Sequence, residues 1–323
     1  VLPKRLRRPV LLAYLFCRIA DTIEDDPELD YPQKQELLQL FASAFLVADR
    51  DTSLHHLEEF RQALPSSWNT SSDDNRFLCA HVGWIANLYL HFQEKIRIPI
   101  ARCVAEMCSG MSSFTERQSR AKGEWLLISS EKDLDLYCYY VAGVVGNMLC
   151  DLFYALSPWI SARRYRRMKE LSVSFGLGLQ ITNIIKDIRE DSQRQVCFIP
   201  LDWMCEEGFD SAPDFLSPQA PTAPRNRIVQ KLIRKAQSHL EDAMRFTLLV
   251  PLIEARIRLF CLWPLLMASE TLRAAGDGSP VFAEHKLKIT RDTVHRIIRN
   301  SSLNFWNTLW IRRYIQSVHS TRR

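Results

Sequence analysis

"FCRIADTIEDDP", residues 16–27, sets four acids, Asp21, Glu24, Asp25 and Asp26, at the end of an otherwise apolar run. The same D-x-x-E-D word returns in "ITNIIKDIREDSQ", residues 181–193, as Asp187, Glu190 and Asp191. On an α-helix, positions i, i+3 and i+4 share one face, so each trio projects together. Like charges so placed cost a helix a few tenths of a kcal/mol per pair unless a cation or basic partner compensates. At this chain's acid content, one such word is expected by chance about 0.06 times and two about 0.002 times. A solvated acidic face is the plain alternative, and the neighbours weigh against it. Tyr14 and Arg18 precede Asp21 on its face, and Gln180 and Asn183 precede Asp187. Each polar stripe lies on an apolar helix (Leu11, Leu12, Leu15, Ile19; Leu179, Ile181, Ile184, Ile185), which is costly to bury without purpose.

Carboxylates without His or Cys partners suit a hard, oxygen-seeking cation, and Mg²⁺ takes a few carboxylates plus water and phosphate oxygens. Helices of a bundle can supply such a site from two sides. The chemistry implied is metal-assisted departure of a diphosphate, with Asp21, Glu24, Asp25, Asp187, Glu190 and Asp191 as the candidate metal ligands.

Composition narrows the rest. The chain has 323 residues, 47% hydrophobic and 24% charged, ordinary for a globular protein. Glycines number ten, with no G-x-G-x-x-G fingerprint, so any phosphate is held in another way. Nine scattered cysteines, without a C-x-x-C pair, read as buried thiols of a reducing compartment rather than a zinc site. The net charge of +5 is modest. Its basic clusters, "PKRLRRP" (3–9), "ARRYRRMK" (162–169) and the tail from Arg312, read as solvated faces first and anionic-lipid or anionic-substrate contacts second. No nucleic-acid recognition module is legible. No run of eighteen apolar residues occurs, so no transmembrane span is expected. The chain opens at Val1 inside helix-forming sequence, and a segment N-terminal to it is expected to be missing.

Helical periodicity predicts helices over about 4–25, 32–48, 53–63, 75–111, 131–157, 161–192, 226–248, 251–274 and 289–316. Breakers lie between them at "LPSSWNTSSDDN" (64–75), "SGMSSFTERQSRAKGE" (109–124), "EEGFDSAPDFLSPQAPTAP" (206–224) and "GDGSP" (276–280). Strand alternation is nearly absent and no solenoid repeat appears. One all-α bundle over 1–323 is the economical architecture.

The words "YLFCRIADTIEDD" (14–26), "DLYCYYVAGVVG" (135–146), "GLGLQITNIIKDIRED" (176–191) and "LFCLWPLLMASETL" (259–272) resemble the squalene and phytoene synthases, the head-to-head prenyl transferases. The match runs in order from about residue 2 to 298, and the paired acidic words with the intervening Y-x-x-x-x-A-G are specific in combination. The resemblance implies a single-domain isoprenoid synthase bundle with a central apolar cavity, magnesium ions between the acidic motifs, and two bound prenyl diphosphates. It implies that Arg18, Gln180, Asn183 and Lys186 bind or orient diphosphate. It makes Tyr137 the proton-transfer and cation-stabilising residue, although an isolated tyrosine would more often be packing. Tyr14 would point into the cavity. Val145, Leu149, Phe153, Phe260, Cys261 and Pro264 would line a prenyl tunnel, though most would be core in any bundle. Gly143 and Gly146 would leave room for a prenyl chain or else allow close helix packing.

The wording of "YCYYVAGVVG" and of "HKLKITRDTV" (285–294) leans towards the squalene-forming branch, with farnesyl diphosphate as substrate and NADPH as hydride donor. The alternatives are a phytoene or dehydrosqualene synthase without the reductive step, an enzyme stopping at presqualene diphosphate, and a silent relative acting as an assembly factor, for which intact acidic motifs are unexpected. Each enzymatic reading belongs to a sterol, hopanoid or carotenoid pathway. Relatives carry an arginine where "SQRQVCFIP" (192–200) has Val196, with Arg194 two positions earlier, and an S-R-x-F flap has no counterpart here. A cytoplasmic location is expected, with peripheral membrane contact left open at "NFWNTLWIRRYIQSVHSTRR" (304–323), where Phe305, Leu309, Ile311 and Ile315 fit an interfacial helix or packing equally. Oligomeric state is not legible.

Overall fold

The computed structural model describes residues 1–120, 125–283 and 286–320. Residues 121–124 of the expected loop, His285 of the 285–294 segment and 321–323 of the basic tail lie outside the described residues. The chain divides into two compact units, Pro3–Gly123 with Asn147–Leu156, and Val1–Leu2 with Glu124–Gly146 and Ser157–Arg323.

The N-terminal unit is built from α1 (Lys4–Asp25), α2 (Tyr31–Leu46), α3 (Arg50–Ala63), α4 (Asp74–Ala80), α5 (Val82–Leu90) and α6 (Glu94–Arg120). Its starts are written in short polar residues. Asp30 caps α2 by accepting from the Gln33 N–H while the Gln33 side chain accepts from the Asp30 N–H, a reciprocal box with Pro32 in the first turn. Asp49 caps α3 by accepting from the Thr52 N–H, and Asp73 caps α4 by accepting from the Asn75 and Arg76 N–H groups, neither with a reciprocal bond. α2 packs along α6 and α3, and α1 along α6. Phe16, Phe41, Phe45, Phe60 and Tyr89 form one aromatic cluster with ring centroids 5.0–6.3 Å apart. Each buried ring contributes about 2–3 kcal/mol.

The expected loop at 109–124 is helix as far as Arg120. Cys108, Met111, Ser112, Phe114 and Thr115 are buried at helical spacing, so packing overrides the weak propensity of the Ser and Thr residues. The expected helix at 75–111 is instead three, broken at His81, which leaves helical geometry at φ −110° and ψ 23°, and again before Glu94.

The C-terminal unit contains β1 (Leu126–Ile128), α7 (Glu131–Cys138), a π-helical turn at Tyr139–Gly143 and the first turn of α8 (Val144–Leu156). It continues with α9 (Ala162–Gln193), β2 (Val196–Pro200), α10 (Leu201–Glu206), α11 (Ala212–Leu216), α12 (Thr222–Leu249), α13 (Ala255–Ala275), α14 (Arg291–Asn304) and α15 (Thr308–Ser320). α9 and α12 form its spine, with α13 across both. β1 and β2 pair in parallel with a register shift between Leu127 and Ile128. They are too short for alternation to register in the sequence.

Two glycine positions set how tightly α9 packs. A Cβ at Gly146 would stand 2.0 Å from the Ser172 carbonyl oxygen, and one at Gly176 would stand 2.2 Å from that of Ala142. Of the two readings of Gly146, close helix packing is the one observed.

At the C-terminal end, Ile311 and Ile315 are buried in the unit, while Leu303, Trp306 and Leu309 are exposed. Packing therefore accounts for the two isoleucines that an interfacial helix would expose. The helical run Glu131–Leu156 is long and apolar enough to cross a membrane by length and composition, and half of its apolar window is buried inside the protein. An uninterrupted-apolar-run criterion misses it because charged and polar residues interrupt the run.

Candidate active site

In the N-terminal unit, α1 carries Tyr14, Arg18, Asp21, Glu24 and Asp25. The Arg18 guanidinium lies over the Tyr14 ring, 5.7 Å from its centroid, and 3.8 Å from the Asp21 carboxylate. Hydrogen bonding to Tyr14, with the nearby Asp21 and Asp25 charges, holds Arg18 above its ordinary pKa despite partial burial. Burial pushes Asp21 up to about 6, against the lowering effect of Arg18 and with a further rise from Asp25. Burial thus disfavours the charged form of Asp21 by more than the Arg18 guanidinium restores. The Lys34 ammonium donates to the Glu24 carbonyl at 2.7 Å, near the end of α1.

Asp26, the fourth acid of the opening stretch, has a different role. Its buried carboxylate accepts from the Arg76 guanidinium at 2.8 and 3.1 Å and from the Glu28 N–H at 2.8 Å. It ties the end of α1 to α4.

Tyr14, Leu15 and Arg18 line a groove of about 300 Å³ together with Asp74, Phe77, His81 and Trp84. The residues from α4 and α5 were not singled out in the sequence. Their signal was the i, i+4, i+7 spacing of Phe77, His81 and Trp84, which reads equally as a core stripe. The His81 ring stacks on Phe77 at 3.9 Å and lies 4.4 Å from Trp84.

In the C-terminal unit, α9 carries Gln180, Asn183, Lys186, Asp187, Glu190 and Asp191. Ser161 caps its start, and it ends at Arg194, followed by Gln195 at φ 58°. Asp187 meets Lys186 at 2.6 Å and Lys286 at 2.8 Å, and Lys286 also meets Glu190 at 2.7 Å. Burial alone would raise Asp187, but the hydrogen bonds from Lys186 and Lys286 outweigh it and hold the carboxyl below its usual range. The bond from Lys286 lowers Glu190 likewise. Asp191 is buried and paired with Arg194 at 2.6 Å. The arginine two positions before Val196 thus serves the motif's own third acid, while Val196 opens β2.

Lys286 is the participant the sequence did not reveal. It stands 99 positions after Asp187, and nothing local to either residue announces the pairing.

Tyr137, on α7, is buried, and its ring stacks on Phe198 of β2 with centroids 4.4 Å apart. The π turn follows within two residues, and such turns recur at functional sites. Of the expected tunnel residues, Phe153 and Cys261 are buried, and Val145, Leu149, Phe260 and Pro264 are partly exposed.

Among the described residues, no three His, Cys, Asp or Glu side chains stand close enough to hold one metal ion. Mg²⁺ keeps several waters or phosphate oxygens beside a few carboxylates, and so needs fewer protein donors than a closed zinc or calcium cage. Asp21 faces the Arg18 guanidinium at 3.8 Å, and Asp187 and Glu190 share the Lys286 ammonium, so each motif stands against a positive charge of this chain.

The family description Squalene/phytoene synthase matches residues 1–292. The chain belongs to the squalene/phytoene synthase family. It is 27% identical to Squalene synthase R6 of Phoma sp. over 93% of this chain and 66% of that protein. It is 26% identical to the squalene synthase of Cyberlindnera jadinii over 97% and 66%, and 30% identical to that of Homo sapiens over 86% and 59%. The chain thus spans somewhat under two thirds of the length of these relatives. Its fold is similar to that of TcSQS in complex with the ligand BPH1237, with a TM-score of 0.79 at 24% identity, covering 100% of this chain and 86% of that one. A dehydrosqualene synthase is similar at a TM-score of 0.58 and 20% identity, covering 98% and 89%. The fold is that of the helical isoprenoid synthases.

Proposed function

We propose that this protein is a squalene synthase, condensing two farnesyl diphosphates head to head into presqualene diphosphate and reducing that intermediate to squalene with NADPH. The observation that carries the reading is the pair of intact D-x-x-E-D words in a chain of this family, one on α1 beside Arg18 and one on α9 beside Lys186. The squalene synthases among its relatives support the product.

In this reading Asp21, Glu24, Asp25, Asp187, Glu190 and Asp191 hold magnesium. Bound magnesium supplies positive charge to the leaving oxygens as diphosphate departs. Arg18 and Lys186 pair with diphosphate oxygens, and Gln180 and the exposed Asn183 orient them by hydrogen bonds. Tyr14 holds the Arg18 guanidinium in place through its ring and hydroxyl.

Tyr137 serves the proton. Joining the two allylic units leaves a cation that closes to a cyclopropane only when a proton is lost. A neutral phenol is a poor base, so its hydroxyl passes that proton on to the released diphosphate. The buried ring keeps water from the cation and stabilises it through its π face.

Tyr137→Phe retains the ring and its stacking on Phe198 and deletes only the hydroxyl. The variant is expected to fold and to bind substrate and Mg²⁺ with little change. Its rate of presqualene diphosphate formation should fall by on the order of a hundredfold. Product analysis by mass spectrometry with NADPH omitted checks this, since the intermediate should then accumulate in the wild type alone. Equal accumulation in both proteins would make Tyr137 a packing residue.

A further inference from the structure

The "ARRYRRMK" cluster at 162–169 is not used by the proposed reaction, and the fold places an apolar feature beside it. The turn between α8 and α9 presents Trp159, 55% exposed, and the turn between α12 and α13 presents Leu252 and Ile253, 51% and 63% exposed. These two turns are fastened together. The Ser157 hydroxyl donates to the buried Glu254 carboxylate, and the Arg164 guanidinium donates to the Leu249 carbonyl at 3.3 Å. Within the second turn, buried Arg258 donates to the Val250 carbonyl at 3.0 Å. Glu254 is therefore drawn inward, and Leu252 and Ile253, just before it in the same 3₁₀ turn, face outward.

Within the two segments that form these tips, every exposed charge is positive. Arg163, Arg164, Arg166, Arg167 and Arg256 are exposed. Segment 157–169 contains no acid, and segment 245–260 contains Glu254 alone, which is buried. A tryptophan and two aliphatic side chains on two joined turns, with exposed arginines in the helices that adjoin them, match the depth profile of a membrane surface. Indole sits at the headgroup level, aliphatic groups enter the acyl boundary, and guanidinium groups meet anionic lipid phosphates. An acidic protein would satisfy the arginines and leave the three protruding apolar groups without a counterpart. A nucleic acid would do the same.

We infer that the paired α8–α9 and α12–α13 turns form a docking face for an anionic lipid bilayer, with Trp159, Leu252 and Ile253 as the inserting groups. This inference is independent of the proposed reaction and uses none of its residues.

Vesicle co-sedimentation tests it, with phosphatidylcholine vesicles compared with the same vesicles containing phosphatidylserine, at low and high salt. The wild-type protein should bind the phosphatidylserine vesicles and be released by salt. Trp159→Ala with Ile253→Ser, and separately Arg163→Gln with Arg167→Gln, should each weaken binding about tenfold or more. All four side chains are exposed, so native helicity is expected, and circular dichroism verifies it. Leu309→Ser, at an exposed site on α15, should bind as the wild type does. Failure of the wild type to bind would overturn the inference, as would undiminished binding by both double variants, or loss of binding only in Leu309→Ser.

Discussion

Asp187→Asn is expected to slow diphosphate release from farnesyl diphosphate by on the order of a thousandfold, about 4 kcal/mol of barrier, with no loss of fold. The substitution replaces a carboxylate by an amide of nearly equal volume. It removes the negative charge that the Lys186 and Lys286 ammonium groups now share at 2.6 and 2.8 Å. Those pairs are part-exposed, so their loss costs the fold about 1 kcal/mol or less. In the proposed reading the charge matters far more to the reaction, because a cation held at this motif would stabilise the leaving group more strongly in the transition state than in the ground state. Single-turnover measurement of pyrophosphate release, beside a thermal melt, separates the two effects. A release rate within a few-fold of the wild type would move the metal-holding role away from Asp187.

The second large effect concerns packing. Gly146 lies in α8, where alanine is the better helix former by about 1 kcal/mol, so Gly146→Ala would stabilise the protein if the position were open. The Cβ would instead stand 2.0 Å from the Ser172 carbonyl oxygen, a backbone atom that no rotamer change can move. The helices must separate, and the same approach is braced from the other side by Gly176 against Ala142. We expect a net loss of about 3 kcal/mol and a melting temperature lower by roughly 10 °C. A variant that melts at or above the wild-type temperature would show that the position has room for a side chain.

Much of this architecture is legible in the sequence. The long helices α1, α2, α9, α12 and α13 lie within a few residues of the ranges the sequence indicates, and the paired acidic words single out a candidate site before any packing is known. What escapes is non-local or very short. Lys286 reaches Asp187 across 99 positions and Glu190 across 96. Asp26 looks like a fourth member of the acidic trio, and only the position of Arg76 makes it a tether. The π turn at Tyr139–Gly143 carries the same apolar residues that an uninterrupted helix would. The extension of α6 to Arg120 arises from burial of Met111 and Phe114, against a local composition rich in Ser and Thr. Gly146 was compatible with two readings, since a sequence records the missing side chain but not the atom that fills its place.

The central claim concerns the product. The most direct test is to incubate the protein with farnesyl diphosphate, Mg²⁺ and NADPH and to identify the extracted hydrocarbon by gas chromatography and mass spectrometry. The account predicts squalene, replaced by presqualene diphosphate or non-reduced products when NADPH is omitted and absent when Mg²⁺ is chelated. Dehydrosqualene formed in equal amount with and without NADPH, or substrate recovered unchanged in the presence of Mg²⁺, would contradict it.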